Sequence, residues 1–181
     1  MEERNRYYSS KQFWMVATAF GFFTGLIVFV VYFLLTLLFK NTVSIIYSLV
    51  YLLPFAGMYW AVIRLRDYYG RTVIRFSQAF LCSWITAIIA AAVFASVLYI
   101  VYSEMNAADL KYKALAIEQQ LMAKSGTMTL NQVKELRQQL STLLSPAYLA
   151  QINFVFYSGI GLIYALIIAI FVKRKDRFIE A

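Results

Sequence analysis

Covalent or metal chemistry needs reactive side chains within reach of one another, and this chain of 181 residues has few. It contains no histidine and one cysteine, Cys82. A histidine or multi-cysteine metal site, a cysteine pair and a histidine-based triad are thereby excluded. The carboxylates stand outside the long apolar runs. Glu104 with Asp109 is too weak a pair for a catalytic dyad, since solvated acids at a helix start explain both equally well. No catalytic residue, cofactor or metal is expected.

The chain is rich instead in residues that let helices approach. Ala17, Gly21 and Gly25 recur at intervals of four; so do Ser83, Ala87, Ala91 and Ala95, and again Gly161, Ala165 and Ala169. In lipid, where no hydrophobic drive brings helices together, close backbone packing along such stripes takes its place. Spacing alone leaves open whether the stripes meet within one chain or between chains. Pro54 removes a backbone hydrogen bond and is expected to kink the helix that contains it. Polar residues in the apolar runs, among them Thr18, Thr24, Thr36, Gln78, Ser83, Thr86, Gln151, Asn153 and Ser158, are expected to bond back to their own helix or across to a neighbour.

The elements that position these residues must be membrane helices. Hydrophobic residues make up 62% of the chain and charged residues 14%, against roughly 45–50% and about 25% in soluble domains. Phe13 to Phe39 carries no charge, and as a helix it reaches about 40 Å, beyond the roughly 30 Å hydrocarbon core. Thr42–Ile63, Phe76–Ser103 and Ala147–Val172 are similar, giving four expected spans in an all-α, single-domain membrane protein. The first is too long an apolar stretch for a cleavable signal peptide.

Orientation follows from the basic residues. Arg4, Arg6, Lys11, Arg64, Arg66, Arg71, Arg75, Lys173, Arg174, Lys175 and Arg177 fall on one side; Lys40, Lys111, Lys113, Lys124, Lys134 and Arg137 fall on the other. Five of the latter six lie in one long loop, which the positive-inside rule discounts, so both termini are expected in the cytoplasm. The formal net charge of +8 is then mostly topology rather than nucleic-acid binding. Trp14, Tyr59, Trp60, Tyr68, Tyr69, Tyr99, Tyr102 and Tyr148 read as an aromatic belt at the interfaces.

The segment from Glu104 to Ser145 is patterned like helix. Leu110, Ala114, Ile117 and Leu121 form one apolar stripe, and Val133, Leu136, Leu140 and Leu143 a second. Ser125-Gly126 can end the first helix, and Thr129 with Gln132 has the spacing of a capping box that opens the second. An amphipathic hairpin on the extracytoplasmic side is expected. Its stripes either cover one another, lie on the membrane surface, or dock a partner.

These features together resemble the domain-of-unknown-function 4199 family of small bacterial inner-membrane proteins, seen largely in the Bacteroidetes. The resemblance runs through the Gly21 to Gly25 segment and the Arg-rich turn before Phe76-Ser77-Gln78-Ala79-Phe80. It continues in the Gln- and Leu-rich stretch ending in Leu144-Ser145-Pro146 and in the glycine-bearing last span with its basic tail. It implies a topology and an inner-membrane location, and no catalytic residue.

Three function classes follow. The first is a non-enzymatic scaffold or accessory subunit that packs against a membrane-protein partner, or a second copy of itself, and docks through the hairpin. The second is a small permease or channel for an uncharged or lipidic solute, using Pro54 and the polar faces around Gln78 and Asn153. An enzyme is the third. Partners expected are the bilayer and another membrane protein, with no nucleic acid.

Overall fold

The computed structural model describes residues 9–38, 50–70, 73–105, 112, 114–117, 119–120 and 130–173. Its elements are helices: α1 (Ser10–Leu38), α2 (Leu53–Arg64), α3 (Phe76–Ile100), α4 (Leu130–Leu143) and α5 (Pro146–Val172). Single π-helical turns, Leu65–Tyr69 and Val101–Met105, continue α2 and α3. Tyr112 and residues 114–117 and 119–120 are helical as well.

Among the described residues, three helices are long and apolar enough to cross a bilayer: Ser10–Leu38, Phe76–Glu104 and Pro146–Val172. Protein covers only 22%, 39% and 33% of their apolar stretches. Side chains such as Phe23, Ile27, Leu38, Ile163 and Phe171 stand exposed along them. A water-soluble protein does not leave so much contiguous apolar surface bare, whereas lipid solvates it without cost. Of the expected second span, Val50 and the stretch from Leu53 are helical, while Thr42 to Leu49 lie outside the described residues.

Local chemistry sets the helix ends. α1 starts three residues ahead of the charge-free run because Ser9 and Gln12 form a capping box. The Ser9 N–H donates to Gln12 Oε1 at 2.8 Å, and the Gln12 N–H to Ser9 Oγ at 3.2 Å. At the start of α3 the Arg75 N–H donates to Gln78 Oε1 at 3.1 Å. Leu144 and Ser145 alone separate α4 from α5. Ser145 Oγ donates to Thr142 O and accepts from the Tyr148 N–H, at 2.7 and 3.3 Å, and Pro146 takes the first helical position, where its missing N–H costs nothing.

Pro54 requires a correction. It does not kink a continuous helix, because Tyr51 and Leu52 form a turn and α2 begins at Leu53, which leaves Pro54 in its first turn. At that position no backbone hydrogen bond is lost. Arg64 and Arg66, beyond the end of the expected second span at Ile63, are helical too, since α2 and its π turn run to Tyr69.

Residue contacts divide the chain into two compact units, 1–94 with 154–181, and 95–153. The core of the first is built from Val16 and Ala17 of α1, Met58, Ala61 and Val62 of α2, Leu65, Ile74, Ala79, Cys82 and Ala87 toward and along α3, and Ala165, Ile168, Ala169 and Val172 of α5. Phe13, Phe55, Tyr69 and Tyr164 pack against it. The second unit contains the end of α3, the helical residues between 112 and 120, α4 and the first turns of α5, with Leu98 and Ala150 buried.

Candidate functional site

Since the bilayer offers no hydrophobic force between spans, contact between these helices depends on how closely their backbones can come. Four glycines in the first unit mark where they come closest. A Cβ placed on Gly21 would lie 2.7 Å from Ile89 Cβ and 2.9 Å from the Thr86 carbonyl oxygen; on Gly25 it would lie 2.6 Å from the Ala90 carbonyl oxygen and 2.8 Å from Val93 Cβ. Both glycines of α1 therefore face α3. On Gly57 of α2 the same atom would strike Thr24 of α1, with Cγ2 at 2.7 Å and Cβ at 2.9 Å. On Gly161 of α5 it would meet Ala87 Cβ of α3 at 2.5 Å.

The alanines of the expected seams occupy buried positions. Ala17, Ala165 and Ala169 are fully buried, Ala87 and Ala91 nearly so, and Ala95, in the second unit, is 8% exposed. Gly159, two residues from Gly161, would place a Cβ in open space. Gly57 was missed by the reading of small-residue stripes, although Gly57 and Ala61 carry the same four-residue spacing.

Polar side chains in the spans largely turn back on their own helices. Thr18 Oγ1 donates to Trp14 O at 2.7 Å, Thr36 Oγ1 to Tyr32 O at 2.9 Å, Thr86 Oγ1 to Cys82 O at 2.8 Å, and Asn153 Nδ2 to Leu149 O at 2.8 Å. Each bond satisfies a group that lipid would leave unsolvated. Gln78 serves the α3 cap. Ser83 Oγ and Ser158 Oγ are buried without a hydrogen-bond partner.

An aromatic cluster was not foreseen. Phe94 of α3 meets Tyr157 of α5 at 4.9 Å and Tyr32 of α1 at 5.7 Å between ring centroids, and Tyr51, ahead of α2, meets Tyr157 at 5.2 Å and Phe156 at 5.4 Å. No periodicity within one helix could reveal rings that converge from four places in the chain. Edge-on and tilted contacts of this kind add roughly 0.5–1.5 kcal/mol each beyond the area they bury.

At one end of the first unit the charges concentrate. The Arg64 guanidinium carbon lies 4.2 Å from the centre of the Tyr68 ring. Arg66 grips Asp67 with two parallel bonds, Nε to Oδ1 at 2.6 Å and Nη2 to Oδ2 at 2.9 Å. The hydrogen bond to Asp67 raises the Arg66 pKa above its ordinary value, with partial burial working against it.

In the second unit, Val133, Leu136 and Leu140 of α4 are half-buried, whereas Leu143 and Ile117 are exposed. Leu143 instead borders a shallow depression with Glu135, Gln138, Gln139 and Thr142. Leu110, Leu121, Ser125, Gly126 and Thr129 lie outside the described residues.

Among known proteins, a family model described as a protein of unknown function (DUF4199) matches residues 19–174. No curated protein and no solved structure matches the chain.

Proposed function

The chain belongs to the DUF4199 family, and on that premise we propose that it is a non-enzymatic scaffold or accessory subunit of the bacterial inner membrane. In this reading it crosses four times, keeps both termini in the cytoplasm, and presents the segment 104–145 on the other side as a helical hairpin. Support for the shared side of the termini comes from the first unit, where Phe13 of α1 and Val172 of α5 join one core cluster with Leu65 and Ile74.

The observation that carries the proposal is where the close contacts fall. Gly21, Gly25, Gly57 and Gly161 each abut a neighbour within the same chain. The first unit therefore holds itself together, and a partner, whether another membrane protein or a second copy, has to be engaged elsewhere. The amphipathic α4 region, with exposed Leu143 beside half-buried Val133, Leu136 and Leu140, is the candidate docking surface.

Replacing Asn106 to Leu140 with a short Gly/Ser linker tests this. Each span satisfies its own backbone hydrogen bonds, so insertion should survive while a co-purifying complex or self-association is lost. A complex that persists without the segment overturns docking by the hairpin.

A permease for an uncharged or lipidic solute is the second reading, favoured by the unpartnered hydroxyls of Ser83 and Ser158. Against it, the Gln78 side chain accepts the Arg75 N–H just ahead of α3, and Asn153 donates to Leu149 O of its own helix. Solute flux in liposomes containing the purified protein alone would support the permease over the scaffold.

A further inference from the structure

The start of α1, the end of α2, the approach to α3 and the end of α5 meet at one end of the first unit, where Phe13, Leu65, Tyr69, Ile74 and Val172 share a cluster. Lys11, Arg64, Arg66, Arg75 and Lys173 sit on these same ends. Asp67 is the one acid among the described residues of that unit, and Arg66 holds it. A rim of basic residues alone reports only which side of a bilayer an end faces. The geometry at the end of α2 is more specific.

Trp60, Arg64 and Tyr68 follow one another at intervals of four. Trp60 is 66% and Tyr68 65% exposed, and Arg64 stacks on the Tyr68 ring. No carboxylate among the described residues pairs with Arg64. Stacking fixes the plane of the guanidinium and leaves its fork of N–H donors for an anion carrying two oxygens on one centre. The support is firm. The Gly70 N–H closes a bond to Leu65 O at 2.9 Å, the Val73 N–H one to Gly70 O at 3.0 Å, and Leu65 and Ile74 are buried on either side of the turn. Trp60, one turn deeper on α2, is the residue type that settles among headgroups.

We propose that Trp60, Arg64 and Tyr68 form a docking site for the phosphate headgroup of an acidic phospholipid in the leaflet that meets this end. Arg64 supplies the bidentate contact, Tyr68 holds its plane, and Trp60 lies along the first carbons of the acyl chains. The neighbouring Arg66 is neutralised by Asp67 and does not compete for the headgroup. The inference requires only that the apolar helices lie in a bilayer, and it is independent of the scaffold reading.

The full chain, reconstituted in vesicles of phosphatidylcholine containing some phosphatidylglycerol and released into mild detergent, is examined by native mass spectrometry for bound lipid. Phosphatidylglycerol should be retained well above its share of the vesicle. Arg64→Gln should cut that retention roughly fivefold, the weight of one basic residue at a membrane surface. Tyr68→Leu, which keeps the charge and removes the platform, should weaken it too, and Lys173→Gln should not. Should Arg64→Gln disturb folding, as a lowered melting temperature would reveal, Tyr68→Leu decides the matter. Wild-type retention in Tyr68→Leu and in a folded Arg64→Gln overturns the site. So does loss of the lipid to excess inorganic phosphate, which would assign the stacked arginine to a soluble anion.

Discussion

Replacing Gly57 by Ala and asking whether Thr24→Ala rescues it examines the contact between α1 and α2 with two atoms. The added Cβ would run into Thr24, whose Cγ2 and Cβ would lie 2.7 and 2.9 Å away. Thr24 is 6% exposed and branched at Cβ, so it has little freedom to withdraw. Overpacking of this kind costs about 1–3 kcal/mol, and the better helix propensity of alanine returns about 1 kcal/mol at most. Gly57→Ala should therefore destabilise by up to about 2 kcal/mol. Thr24→Ala alone removes one methyl and one hydroxyl from a buried position, and by analogy with Ile→Val costs about 0.5–1.5 kcal/mol. In the double variant the offending Oγ1 and Cγ2 are gone and only the 2.9 Å approach to Cβ remains, which a shift of a few tenths of an ångström relieves. The pair should then be more stable than the sum of the single losses, with a coupling of about 1–2 kcal/mol. Thermal melts of the four proteins in one mild detergent, followed by intrinsic tryptophan fluorescence, measure it. If the effects of the two substitutions simply add, with no coupling between them, α1 and α2 do not approach as described.

A second comparison uses two glycines in different surroundings. Gly25→Leu pushes against the α3 backbone at Ala90 and should lower stability by about 1–3 kcal/mol, while Gly159→Leu, whose Cβ meets nothing, should not lower it and gains up to about 1 kcal/mol of helix propensity. At the start of α1, Ser9→Ala should cost about 1 kcal/mol of local stability and speed amide exchange in the first turn roughly fivefold, without moving the global melt. For topology, in a Cys82→Ser background, Lys124→Cys should react with an impermeant thiol reagent in intact cells and Arg71→Cys should not. The opposite labelling would invert the orientation.

Much of this molecule was legible before folding because lipid imposes a length and composition on anything that crosses it. The uncharged runs correspond to α1, α3 and α5 to within three residues at each end. Ser9 with Gln12 has the same three-residue capping-box spacing as Thr129 with Gln132 and was overlooked, although cap chemistry of this kind acts locally. Pro54 was misplaced because a missing N–H is compatible with either a kink or a first turn, and only the break at Tyr51 and Leu52 tells them apart.

What the sequence could not assign was partnership between helices. In a soluble protein the buried face of a helix differs in polarity from the exposed one, but in a membrane both faces are apolar, so periodicity no longer separates core from surroundings. The spacing set Gly161 in a stripe and left Gly159 out, but it did not say what Gly161 meets, which is Ala87 of α3. The meeting of Gly57 with Thr24, the gathering of Tyr32, Tyr51, Phe94 and Tyr157, and the joining of four helix ends around Leu65 and Ile74 are likewise contacts between distant parts of the chain. The sequence alone determined that this chain belongs in a bilayer and where most of its helices begin. The tertiary structure decided which small residues touch, because that depends on the mutual rotation of helices whose lipid-facing and protein-facing sides share one chemistry.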